Sequence, residues 1–200
     1  VACSTGYAQT VSKAYVPPSS VSVDGVGAYG TPMPGVTFNP SDFTAGCQVT
    51  DVDVVIAWAK TAGTCTSPTG GNSQHQETSF RINGPSGSQV LALPGTWTGQ
   101  TSTSSVITRF SQGSPIPTGI PVSGTFGPNN GNLAAYNGQT PYGAWNLDIG
   151  DQTSGAPVCL VFYQVDITTT PDVTPPVITV PGNIVVNATS GQCGATVTFA

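Results

Sequence analysis

Proline and glycine interrupt this chain so often that no window is left for an amphipathic helix. With 25 Gly and 18 Pro in 200 residues, no stretch of three helical turns keeps its apolar residues at the 3.6-residue period. Alternation recurs instead. From Val49 to Ala59, Val52, Val54, Ile56 and Trp58 share one face while Asp51 and Asp53 share the other, which is the pattern of a strand with one side buried. Trp145, Leu147 and Ile149 alternate with Asn146 and Asp148. After a turn-rich segment, Gly150 to Ala156, a further set alternates: Cys159, Val161, Tyr163, Val165 and Ile167. Val158, Leu160 and Phe162 make the start of that strand apolar on both faces, as in a central strand covered at one end.

Shorter signals fill the interval. Val36 and Phe38 read as a short strand, and Phe80 and Ile82 lead through Asn83-Gly84-Pro85-Ser86-Gly87 to Val90, Leu91 and Leu93. That is a hairpin signal, with Pro85 expected to lengthen the loop beyond two residues. Further strands are predicted at 105–110 and 119–126, and a long exposed loop at 127–142. Residues 1–20, with Pro17-Pro18-Ser19-Ser20, read as an arm that is either a linker or an edge segment. About eight strands joined by long loops predict an all-β chain, a two-sheet β-sandwich of jelly-roll type over 21–168. The run Thr168-Thr169-Thr170-Pro171-Asp172 marks a linker at 169–172, with a second module from 173 to 200.

Composition excludes several classes of function. Only 6% of residues are charged, with nine acids against four scattered bases: Lys13, Lys60, Arg81 and Arg109. Nucleic acids and anionic membranes need clustered Lys and Arg, so no nucleic-acid partner is expected. No apolar run approaches the roughly 18 residues needed to cross a bilayer, so no membrane insertion is expected. The chain opens without a charged-then-apolar leader and reads as mature or as a fragment. Its five cysteines, Cys3, Cys47, Cys65, Cys159 and Cys193, contain no C-x-x-C pair. Disulfides in an extracellular or cell-surface protein are expected, with one cysteine seeking a partner outside the chain.

Two resemblances sharpen this reading. Asp51-Val52-Asp53-Val54-Val55-Ile56, then Phe80 to Gly87, then Pro141-Tyr142-Gly143-Ala144-Trp145-Asn146-Leu147 and Gly150-Asp151 resemble, in order and spacing, the P domain that follows subtilisin-like proprotein convertases and many secreted bacterial proteases. The resemblance implies a β jelly roll without catalytic residues, in some members with bound calcium. This chain departs from it at Ala57-Trp58-Ala59 and in its added cysteines. From Asp172 to Val186, and again at Gly191-Gln192-Cys193-Gly194-Ala195-Thr196-Val197, the tail resembles the opening of a hyalin repeat. This implies that 173–200 holds the first strands of an immunoglobulin-like β-sandwich, as in bacterial surface adhesins.

In a jelly roll of that type the first long strand and the last lie side by side and antiparallel, which pairs Cys65 with Cys159. Cys47 and Cys65 flank one strand rising about 3.3 Å per residue, too far apart to bridge. Cys47 is therefore expected to join Cys3, and Cys193 a residue outside the chain. Asp51 and Asp53, carboxylates on one strand face, are the candidate metal ligands for calcium, against the plainer reading of a solvated face. Trp97, Tyr136 and Tyr142 lie in loops and are the candidate platform for a glycan.

No catalytic constellation stands out. His75, the sole histidine, sits in a polar loop and is expected to be exposed rather than catalytic. Glu77 and Asp148 are carboxylates that nothing marks as a glycosidase pair. Lys60 can form an amide cross-link with an Asn, provided a buried acid stands beside it. The expected role is non-catalytic: an extracellular adhesion or structural module of a large bacterial surface or secreted protein, suited to fibre building. Its partners would be a cell-surface or extracellular ligand such as a glycan, further domains of the same chain, or neighbouring subunits. The alternatives are the accessory domain of a secreted protease and a carbohydrate-binding module.

Overall fold

A computed structural model describes residues 8–101, 104–170 and 190–191. The linker and second module predicted beyond Thr170, and with them Cys193, lie outside the described residues, as does Cys3. The described part is all-β, with eleven strands. In chain order these are β1 (Gln9–Tyr15), β2 (Val21–Val23), β3 (Gly27–Pro32), β4 (Val36–Phe38), β5 (Val49–Lys60), β6 (Thr78–Gly84), β7 (Gly87–Ala92), β8 (Val106–Phe110), β9 (Gly124–Phe126), β10 (Gly143–Asp151) and β11 (Val158–Thr169). They form two sheets. One runs β1-β11-β5-β8-β9 with β2 also on β11, and the other runs β3-β10-β6-β7 with β4 also on β10. All pairings are antiparallel except that of β8 with β9.

Proline explains the split edges. β1 and β2 occupy the same flank of β11, the first against Tyr163–Thr169 and the second against Val158–Leu160, and Pro17-Pro18 falls between them. β3 and β4 likewise share one flank of β10 and are separated at Pro34. A proline has no N–H for the ladder, so an edge strand breaks where it occurs. From Gln9 to Tyr15 the chain is an edge strand of the sandwich.

The alternating residues meet between the sheets. Val52, Val54, Ile56 and Trp58 from β5 and Tyr163, Val165 and Ile167 from β11 face Phe80 and Ile82 of β6 and Trp145, Leu147 and Ile149 of β10, all buried in one cluster. Trp58, Phe80 and Trp97 pack with centroids 4.9–6.0 Å apart, in tilted and edge-on contacts that aromatic quadrupoles favour.

Four expectations need correction. β11 does not hold one alternation throughout: its register on β5 shifts between Leu160 and Phe162. This bulge leaves Val161 37% exposed while Val158 and Leu160 turn inward, because one extra residue reverses which face the following side chains take. The β6–β7 hairpin pairs Gly84 with Gly87, leaving only Pro85 and Ser86 as its turn. The strand predicted at 119–126 shrinks to β9. The loop at 127–142 is not wholly exposed, since a 3-10 turn, Leu133–Tyr136, buries Leu133 and Tyr136.

Strand direction defines two poles. Gln9 faces Thr169 in the ladder, and Val49 faces it from the other side, so the chain enters and leaves the sandwich at one pole. β5 carries the chain 12 residues away, about 36 Å at strand rise, to a far pole. There Lys60 faces Val158 and Asp151 faces Thr78.

Candidate functional site

The far pole holds a buried polar cluster. Lys60 continues the inward series of Val52, Val54, Ile56 and Trp58, and Asp151 continues that of Trp145, Leu147 and Ile149; both are fully buried. The strand period therefore drives a cation and a carboxyl into the interior from opposite sheets. Lys60 Nζ donates to Asp151 Oδ2 at 2.9 Å and also to the Ala156 carbonyl. Glu77, 6% exposed, ends the 3-10 turn His75–Glu77 that leads into β6. Its Oε2 lies 3.9 Å from Lys60 Nζ, and its Oε1 accepts from the Thr153 hydroxyl.

Two carboxyls thus share one lysine where little water reaches them. Glu77 Oε2 and Asp151 Oδ1 are buried with no hydrogen-bond partner among the described residues. For Asp151, burial disfavours the charged form, so its carboxyl takes up a proton more readily than a free one. Burial raises Asp151 to about 6; the contact with Lys60 opposes this, and the Glu77 and Asp24 charges add to it.

His75 lies beside this cluster and is fully buried, contrary to expectation. Its Nε2 meets the Ser73 hydroxyl at 3.0 Å and its backbone N–H donates to the Gly99 carbonyl. Burial lowers its pKa to about 4; a contact of the ring with the Gly99 backbone opposes this and the Lys60 charge adds to it. The segment around it lies against the 93–101 loop, where the Ser73 and His75 N–H groups donate to the Gln100 and Gly99 carbonyls.

The remaining candidates are dispersed. Asp53 and Asp166 face each other on the outer side of the first sheet. Arg109 from β8 lies between them, with Nη1 2.6 Å from Asp53 Oδ2 and 2.9 Å from Asp166 Oδ2. Asp51 stands opposite Thr168; burial and then the Asp53 charge raise its pKa. On this face the guanidinium bridges the Asp53 and Asp166 carboxylates. No group of three or more metal-ligating side chains occurs among the described residues.

Trp97 and Tyr136, expected in a glycan platform, are 1% and 2% exposed. Trp97 completes the aromatic cluster, while Tyr136 packs 4.6 Å from Trp145 and donates its hydroxyl to the Gly87 carbonyl. Tyr142 is half-buried against Phe43. These rings turn inward because the loops that carry them cap the ends of the sandwich. Asp148 bonds Arg81 across the second sheet, apart from Glu77, so the two make no pair across a cleft.

Cys65 and Cys159 form a disulfide at the far pole, with Cα atoms 5.3 Å apart. The bulge at Val161 brings this about. By turning Val158 and Leu160 inward it places Cys159 on the outer side of β11, opposite Ala59, within reach of the loop after β5. Cys47 is buried and makes no disulfide among the described residues, and its expected partner Cys3 lies outside them.

The strand period alone, carried two residues further along β5 and β10, reaches Lys60 and Asp151 as buried positions. Glu77 and His75 precede their strand in a 3-10 turn, where no period applies. No family model matches the chain, and no curated protein matches it.

Proposed function

We propose that the chain is a non-catalytic extracellular adhesion or structural module of a large bacterial surface or secreted protein, a jelly roll followed by the start of an immunoglobulin-like module. The observation that carries this reading is polarity. Gln9 and Thr169 are paired neighbours at one pole, while the loops 61–77, 93–101 and 152–157 gather at the other, where Ser73 and Gln100, Gly95 and Gln76, and Thr61 and Pro157 bond through their backbones, beside the Cys65–Cys159 disulfide. A domain hung by one pole offers the other to a ligand, and loops on a rigid scaffold are where binding residues concentrate. A disulfide persists outside the reducing cytosol. Thr64, Thr66, Ser67 and Pro68 lie in the first of these loops, where Thr66, Ser67 and Pro68 are exposed, a small and polar surface suited to hydrogen bonding with a glycan or another extracellular ligand.

The test is binding of the protein, immobilised through its carboxyl end, to glycan arrays and to intact cells. Binding that Thr66→Lys with Pro68→Glu abolishes, without a change in melting temperature, is expected. Absence of binding above a denatured control across both panels, or binding indifferent to those changes, refutes adhesion through this pole.

A further inference from the structure

We propose that Lys60 and Asp151 condense into an amide, with Glu77 carrying the proton, so that a covalent bond joins the two sheets at the far pole. Three observations coincide there. The two groups that would react are in contact at 2.9 Å, both are fully buried, and a second buried carboxyl stands 3.9 Å from the nitrogen. A cross-sheet ion pair needs only the first. The Glu77 oxygen with no hydrogen-bond partner among the described residues is the one on the Lys60 side, as a proton acceptor must be.

The step balances without any co-reactant. Transfer of one proton from Lys60 Nζ to Asp151 Oδ2, across their contact, turns the ion pair into an amine and a carboxylic acid. The nitrogen lone pair then attacks Asp151 Cγ, the C–N bond forms and the carbonyl electron pair moves onto oxygen. Glu77 takes a proton from the now positive nitrogen and delivers it to the departing hydroxyl. The Cγ–O bond breaks, the carbonyl re-forms, and one water leaves. Glu77 ends as it began. Amine plus acid has become amide plus water, and nothing is oxidised or reduced.

Physical chemistry favours this in the interior though not in free solution. Two groups held in contact react with an effective concentration on the order of 10⁵–10⁸ M. Condensation also removes two charges from a place where each is costly to keep, and the released water has a better environment outside. The protonated form of Asp151, which burial favours, is the form whose hydroxyl can leave. The acid partner is therefore Asp151 rather than an Asn. In the fold, the amide closes β5 of one sheet to β10 of the other, whereas the disulfide closes the loop after β5 to β11 of the same sheet. Unlike the disulfide it would survive reduction. The inference stands apart from the adhesive reading, since the bond exists or does not whatever the loops bind.

The experiment is the intact mass of the full chain after complete reduction, followed by tryptic mapping. Reduction comes first because Cys65–Cys159 joins the same two regions. A mass lower than the sequence by one water is expected, with no tryptic cleavage after Lys60 and a branched peptide linking Lys60 to Asp151 in tandem spectra. The full sequence mass overturns the proposal. So does a missing water accompanied by normal cleavage after Lys60, which would place the loss elsewhere. Glu77→Gln, if folded by near-ultraviolet dichroism of its tryptophans, is expected to retain the full mass; a folded Glu77→Gln protein that still loses water removes Glu77 from the mechanism. The wild-type mass decides the bond even if that variant does not fold.

Discussion

Protonating the single histidine measures how well the far pole is sealed. His75 has a pKa of about 4 in the fold, against 6.5 for an ordinary imidazole, chiefly because burial penalises its charged form. Between those values the unfolded chain binds more protons than the folded one, so stability rises with pH across the window and falls as acid is added. At about 1.4 kcal/mol for each tenfold difference in proton affinity, acidification from pH 7 to pH 4 removes about 3 kcal/mol. Asp151 has the opposite sign. Its pKa is raised by burial from 3.8 to about 6, so in that interval the folded state holds the extra proton, and acidification stabilises it by a similar amount, about 3 kcal/mol. Of these two contributions, which nearly cancel in the unlinked protein, only the histidine's would remain in a protein linked through Asp151. Urea unfolding of wild type and His75→Gln at half-unit pH steps isolates the histidine, because other groups cancel in the difference. That difference is expected to move by about 3 kcal/mol against the wild type on going from pH 7 to pH 4. Proton NMR of the one imidazole should titrate near pH 4. Parallel curves with a ring titrating near 6.5 would refute both the burial of His75 and the sealing of the pole.

Other perturbations test the frame around it. Cys159→Ser opens a closure spanning 94 residues, which the Lys60–Asp151 amide would shorten to a ring of about 15 residues; guanidinium unfolding should show a loss of about 3 kcal/mol with the amide present and nearer about 5 kcal/mol without it, and an unchanged midpoint would mean the disulfide is not formed. Trp58→Ala removes the centre of the aromatic cluster and orphans the Thr108 hydroxyl, which accepts from its indole at 3.0 Å, for an expected loss of about 3–5 kcal/mol. Gly150→Ala would drive a Cβ into the Tyr29 nitrogen and the Ser79 hydroxyl; a drop in melting temperature larger than for an ordinary surface change is expected, and near-neutrality would contradict the close approach of β3 to β10. Arg109→Ala leaves Asp53 and Asp166 facing each other without their shared cation. Millimolar calcium should then raise the melting temperature of the variant more than that of the wild type, and equal responses would show that the guanidinium does not hold that place.

Much of the fold could be read from residue order because strands that face a core on one side write their period into the chain. Val52 to Trp58 and Trp145 to Ile149 are where alternation placed them, and the same rule, extended, reaches Lys60 and Asp151. It stopped short because a lysine after Ala59 and an aspartate after Gly150 look like the polar ends of their strands. His75 and Glu77 carried no signal, because their burial depends on a loop folding back, which is a non-local event. Trp97 and Tyr136 were misplaced for the same reason: a loop's polar neighbours say nothing about what it covers.

Sequence alone determined the all-β class, since Pro and Gly spacing denies helices and period-two alternation supplies faces that must be buried. It also determined which residues of β5 and β10 point inward, because that depends only on the backbone's local repeat. Tertiary structure alone decided the phase of β11, which the bulge at Val161 reverses, and hence the side from which Cys159 meets Cys65. It alone decided that a lysine and two carboxyls from distant segments share one dry site, because contact between sheets depends on strand order and register, which no local pattern encodes.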